Sequence, residues 1–343
     1  MRNKCIGRRT VAFACPPRVL AGETVVSKIE GEGPLGKFFD TVLEDDTWGE
    51  KTWELAERKM FEHVVRAALE KANLSPGEVD ILLGGDLLNQ IISANFAARE
   101  LGIPFIGLYG ACSTMAESLL LGAMLMDGGF ASCVACAASS HFCTAERQYR
   151  MPLEMGTQAI PTAQRTVTGA GCTLLADDTL IAKAQYQAVY VTHGVIGRVV
   201  DLGVKDAANM GAAMAPAAAD TFVTHLRETG QTAESYDIVV TGDLGRLGGE
   251  LFQELCKKEN VDVAERHVDC GNIIFAPDQN VNCGGSGCAC SAVTLNGYLL
   301  KRLEAGDFRR MFFMATGALM STTSGMQGES IPGVAHGLVI ERR

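Results

Sequence analysis

Cys112 stands between a short apolar run and a helical one, in Tyr109-Gly-Ala-Cys-Ser-Thr114. That is a position from which a cysteine can act as a nucleophile. At a helix start, the dipole and the unpaired backbone N–H groups favour a thiolate. Gly110 and Ala111 are small enough for a sharp turn that lifts the sulfur out of the strand end. The competing reading is a small buried hydrophobe, the ordinary state of a free cysteine. Ser113 and Thr114 would present the helix N–H groups to an anion. Asp86 and Asp243 each follow a short apolar strand in a Gly-Asp-Leu loop, where a carboxylate either meets a cation or caps the loop. Arg147 is a candidate donor to a negatively charged group, or an interface ion-pair residue. His336, in Gly333-Val-Ala-His-Gly337, and His141, after Ser139-Ser140, either face the pocket or bond to backbone. His63, His193, His225 and His267 form no constellation, and His63 and His225 fit helix surfaces.

Among the other cysteines, Cys290 repeats the Cys112 setting and reads as core. Cys133 and Cys136 form a C-x-x-C inside an apolar strand, so their side chains point to opposite faces and cannot clamp one metal. Cys283, Cys288 and Cys290 cluster in a Gly-rich stretch without a paired histidine motif. No metal assignment follows from these residues.

The elements that carry these residues occur twice. Leu69–Leu88 over Leu226–Gly245 matches at Leu69, Asp80, Ile81, Gly85, Asp86 and Leu87 with Leu226, Asp237, Ile238, Gly242, Asp243 and Leu244. Further on, Ala111-Cys112-Ser113 matches Ala289-Cys290-Ser291. Leu121, Leu125, Gly128, Phe130 and Ala137 then match Leu299, Leu303, Gly306, Phe308 and Ala315. The shift grows from 157 to 178 residues, which places an insertion of 21 residues in the second half. Each half reads strand, loop, strand, Cys-Ser, helix, Gly turn, apolar strand. In the first, Trp53, Ala56, Met60, Val64 and Ala67 mark a helix over 52–72. A second helix runs from about Ser113 to Asp127 and stops at Gly128-Gly129. Strands alternating with helices predict mostly parallel sheets covered by helices, in halves 1–183 and 184–343.

Composition narrows the class. The chain has 343 residues, 47% hydrophobic, few aromatics and a net charge of −10. Close helix-on-sheet packing fits this; a nucleic-acid surface does not, since no basic tract interleaves with aromatics. No apolar run reaches the roughly 18–20 residues of a membrane span, and the basic start lacks a signal-peptide core. Twelve cysteines without a secretory signal imply reduced thiols and a cytoplasmic site of synthesis, with peripheral membrane attachment still open.

The GACS turn, the duplicated halves and the Thr168-Gly-Ala-Gly171 strand resemble the thiolase and ketoacyl-synthase superfamily. More closely, the chain resembles the stage V sporulation protein AD family of spore-forming bacteria. The carrying runs are GPLGKFFD (33–40), GDLLNQ (85–90), ANFAARELGIPF (94–105), YGACST (109–114), TAERQ (144–148), DLGVKD (201–206), GGSGCACSAV (284–293), ATGAL (315–319) and IPGVAHG (331–337).

The resemblance implies a thiolase-like α/β fold of five layers, αβαβα, built from two duplicated halves. It also implies a homodimer, and binding of dipicolinic acid, free or with calcium, during uptake into the developing spore. Membrane-channel subunits would be partners, and the site would be the forespore and the inner spore membrane. Condensing enzymes of the superfamily pair the cysteine with His and with Asn or a second His. Here the stretch after Asp237–Val240 continues Thr241-Gly242-Asp243, and Gly284–Cys288 has no Asn at the matching place. The expected function is therefore a ligand binder without catalysis. A cysteine-dependent acyltransferase or condensing enzyme is the alternative, and a purely structural subunit is a third reading.

Overall fold

The computed structural model describes residues 4–149, 160–186 and 189–343. Among the described residues, ten strands of a twelve-stranded sheet form two five-stranded arrays. The first comprises β1 (Arg18–Val26), β2 (Ile81–Gly85), β3 (Phe105–Gly107), β4 (Cys133–Ser140) and β5 (Gly169–Ala176). The second comprises β6 (Val189–Val195), β7 (Ile238–Thr241), β8 (His267–Asp269), β9 (Arg310–Ala318) and β10 (Gly333–Arg342). Spatial order is β1-β5-β4-β2-β3 in one and β6-β10-β9-β7-β8 in the other, which is the same order five strands later. Directions agree too. β1–β5 and β5–β4 are antiparallel while β4–β2 and β2–β3 are parallel, and the second array repeats this pairing for pairing. Each array is thus half parallel, not mostly parallel, because β5 and β10 each run antiparallel to both of their neighbours. The arrays touch edge to edge through one pairing, Arg18 with Tyr190.

Seven helices complete the layers: α1 (Trp53–Lys71), α2 (Ile92–Leu101), α3 (Thr114–Asp127), α4 (Phe142–Tyr149), α5 (Met210–Thr229), α6 (Gly245–Lys258) and α7 (Cys288–Thr294). α1 starts where Thr52 Oγ1 accepts from Leu55 N, and buries Ala56, Met60, Phe61 and Val64 against the first array. α5 and α6 cover the second array around Phe222, Phe252 and Phe312. α3 and α7 lie between the arrays, so they are largely apolar. Met115, Leu119, Ala123 and all seven residues of α7 are buried there. A helix with two sheet neighbours has no solvent face to keep polar. The layer order is α1/α2, array, α3/α7, array, α5/α6.

The repeated aspartates explain part of the repeat. Asp80 accepts from Ser132 N and Cys133 N at 2.7 and 3.0 Å, tying the start of β4 to that of β2. Asp237 does the same for Arg309 N and Arg310 N at 2.8 and 2.9 Å at the start of β9. The extra residues of the second half lie in the longer α6, the short helix Cys270–Ile274 and the loop leading to α7. Cys133 packs on the outer side of β4 and Cys136 on the inner side, as their spacing requires. One expectation fails: His225 is fully buried rather than on a helix surface. α5 is wedged against β9, and the imidazole sits among Phe312 and Tyr236, bonding the Tyr236 hydroxyl at 2.5 Å. His63 is half-buried, beside Thr41 and Trp48.

Candidate functional site

The chain leaves β3 and enters α3 through a one-turn 3-10 segment, Ala111–Ser113. Ala111 is held at φ +49°, a conformation that a side chain adopts at some cost. That turn presents Cys112 at the N-terminus of α3. Ser113 Oγ donates to Gly110 O at 2.7 Å and Thr114 Oγ1 to Ala111 O at 2.7 Å, so both hydroxyls brace the turn. β9 crosses closely behind it: a Cβ on Gly317 would lie 2.4 Å from Gly110 O. Cys112 lines a small cavity of about 40 Å³ with Leu87, Tyr149, Thr166, Met210 and Met320.

Asp243 decides the state of the sulfur. It follows β7, accepts from Thr316 Oγ1 at 2.7 Å, and with its other oxygen from Ser286 Oγ and Gly287 N at 3.0 Å each. The same carboxylate lies beside the Cys112 thiol and acts on it electrostatically. Burial pushes the thiol well above its usual range, and the Asp243 charge, then Cys288, push it further; the Gly287 N–H works the other way. A group that activates cysteine accepts its proton and then stays beside it as a cation. Asp243 is an anion placed to keep that proton on sulfur. Burial raises the Asp243 carboxyl itself, against four hydrogen bonds that lower it.

Asp86 does something different. Its two oxygens accept from Leu88 N and Ala94 N at 2.8 Å each, capping the loop and the start of α2. Burial raises it to about 6. Beside it Glu57 of α1, fully buried, accepts from Ser139 Oγ at 3.2 Å and Thr144 Oγ1 at 2.9 Å. Burial, then the Asp86 charge, push Glu57 well above the carboxylate range. The sequence reading passed over Glu57, yet its signal was present: Trp53, Glu57, Met60 and Val64 share one helix face, and only Glu57 is charged.

The remaining candidates have partners elsewhere. His336 accepts from Gly197 N at 3.2 Å, and burial lowers it to about 4. His141 is fully buried, bonds Asp46 O at 2.7 Å through Nε2 and accepts from Cys143 N at 3.2 Å. Arg147 pairs with Glu54 and lies over the Trp53 ring, 5.7 Å from its centroid. Cys290 is fully buried core. Cys288, named above only within the cysteine cluster, donates to Ala111 O at 3.0 Å and so belongs to the Cys112 turn. Among the described residues no group of three or more His, Cys, Asp or Glu is arranged to hold a metal ion.

Two repeated arrays around a central helix pair, with a cysteine turn between them, define the thiolase-like class of fold. Solved structures agree on the fold. 3-Oxoacyl-[acyl-carrier-protein] synthase III from Aquifex aeolicus VF5 superposes with a TM-score of 0.57 at 16% identity, over 95% of this chain and 100% of that one. Human mitochondrial 3-ketoacyl-CoA thiolase gives 0.58 at 12%, over 96% and 100%. Within that class, the family model described as Stage V sporulation protein AD matches residues 7–341. A Bacillus subtilis (strain 168) protein named Stage V sporulation protein AD is 44% identical over 339 residues, 99% of this chain and 98% of its own length. The chain belongs to the stage V sporulation protein AD family, and is a sporulation protein with a thiolase-like fold.

Proposed function

We propose that the protein binds dipicolinic acid, free or with calcium as cargo, and supports its uptake into the developing spore without catalysing acyl transfer. The carrying observation is the buried Asp243 carboxylate set beside the buried Cys112 thiol. A pocket that keeps its cysteine and helix N-terminus, but sets an anion where a base is needed, suits holding better than reacting. The ligand is inferred from family membership. In support, the α3 N-terminus lies at a pocket whose walls are mostly apolar.

In this reading the protein works as a homodimer at the forespore face of the inner spore membrane. Other subunits form the passage, since no helix of the described residues is long and apolar enough to cross a membrane. The test is calorimetric titration of the purified protein with dipicolinate, with and without calcium. Saturable heat that is lost in Ala318→Trp, which fills the cavity, is expected. An absence of binding under both conditions overturns the reading.

A further inference from the structure

Two consecutive residues of the loop between β2 and α2 stand in the left-handed region, Gln90 at φ +61° and Ile91 at φ +44°. That region strains a side chain, and a β-branched one most, so the surroundings must enforce it. They do so from two sides. Asp86 accepts from Leu88 N and Ala94 N at 2.8 Å each, one ahead of the strained pair and one beyond it. From α4, Gln148 accepts from Asn89 N at 2.9 Å and donates to Leu87 O at 3.0 Å, and the Tyr149 hydroxyl donates to the same carbonyl. Ile91 is thereby buried against the bare backbone of Gly107, where a Cβ would lie 2.3 Å from its Cδ1. Leu87, at the start of the loop, forms a wall of the Cys112 cavity.

The clamp is conditional on a proton. Asp86 and Glu57 are both buried, side by side, and two buried carboxyl groups at close range resist being charged together. Glu57 is fixed by the body of α1 and by Ser139 and Thr144, whereas Asp86 belongs to the loop it caps. The other titratable groups that reach the pair are Tyr149 of α4 and Cys288 of α7. Burial, ahead of any charge, raises both, so neither ionises where carboxyl groups do. Of the charged residues of α4, Arg147 is paired with Glu54, and Glu146 lines the Cys112 cavity. We propose that the 86–94 loop is a proton-operated gate on the Cys112 cavity. A proton on the Glu57–Asp86 pair clamps it shut. When that proton leaves for solvent, Asp86 swings away from Glu57, Gln90 and Ile91 relax, and Leu87 leaves the cavity wall. The closed form holds a proton that the open form releases. Opening therefore grows as pH rises from the ordinary carboxyl range toward the raised values of the pair. The gate operates whatever ligand the cavity takes.

The test is hydrogen–deuterium exchange of the whole protein between pH 5 and 8, each rate corrected for the intrinsic pH dependence of exchange. Amides of 87–95 should be less protected than those of β2 and β4, and should lose protection by up to about tenfold per pH unit, the slope of one released proton. Glu57→Gln, which cannot ionise, should flatten that slope. Gln90→Asn changes an exposed residue to a side chain better suited to the left-handed region. It should raise loop protection at pH 8 by roughly two- to fivefold and keep the slope. Circular dichroism checks that both variants are folded. Loop protection that is level with pH, or that falls equally in Glu57→Gln, overturns the gate. Loop amides that exchange only as slowly as β2 and β4 overturn it too, since the opening would then be global unfolding.

Discussion

Asp80 and Asp237 sit at equivalent places and make the same pair of backbone bonds, whereas Asp86 and Asp243, six residues on, have parted. Asp86 kept the loop-capping role. Asp269 caps Leu244 N and Gly245 N in the second half, which leaves Asp243 turned onto Cys112. Asp243→Asn removes the charge that holds the proton on sulfur. Alkylation of Cys112 at pH 8, followed by mass spectrometry, should quicken by tenfold or more. A stability loss of about 1–3 kcal/mol should accompany it, since the Gly287 N–H loses an ionic acceptor. Unchanged kinetics would detach Asp243 from the thiol. The second acidic site predicts a pH effect. Glu57 and Asp86 have raised native values, so the native state holds protons that the unfolded chain releases. Their stability contribution is full below about pH 4; that of Asp86 is lost as pH rises through about 6, and that of Glu57 as pH rises through its own raised value. Glu57→Gln keeps both hydroxyl partners and should flatten that fall, gaining on the order of 1–3 kcal/mol at pH 8 relative to pH 5 in urea melts.

At the scale of elements, the site is a meeting of two turns, and their backbones are less tolerant than their side chains suggest. Gly287 has φ +97°, donates to Asp243, and a Cβ there would stand 2.8 Å from Ser140 Oγ. Gly287→Ala should cost about 2 kcal/mol or more in denaturant melts, from strain added to contact. Ala111→Gly, at φ +49°, should be neutral or stabilising by up to about 1 kcal/mol. The strand–turn–helix around Cys112, the Gly128-Gly129 stop and the repeat were legible because local periodicity and small residues specify them. Antiparallel return of β5 and β10 was not, since a fully buried strand shows no alternation to reveal its direction. Nor was the burial of His225, which depends on Phe312 of β9 and on Tyr236 just ahead of β7. The carboxylate on the thiol was hidden for the same reason: Cys112 and Asp243 meet only when both halves are assembled. The sequence offered both residues as candidates, but not their contact.

At the scale of the whole molecule, β3 ends the first array with one edge unpaired among the described residues, and the surface beside it is apolar. Ile106 is 45% exposed, Tyr109 64%, and Ile92 and Phe96 of the neighbouring α2 add 43% and 40%. An open strand edge next to exposed apolar side chains invites another strand. A second copy satisfies it without competition, because a strand edge paired antiparallel with itself about a twofold axis is self-complementary and closes. Tyr109 lies three residues before Cys112, so such a contact would also brace the turn that presents the thiol. The expected solution mass is twice 36.5 kDa by light scattering. Ile106→Lys with Tyr109→Glu should shift it toward 36.5 kDa while leaving the helical signal in circular dichroism intact. If the dimer buttresses the turn, the separated protein should also lose ligand heat in the same titration. A double variant that stays dimeric would move the interface elsewhere, and one that is monomeric yet binds normally would confine the second copy to assembly.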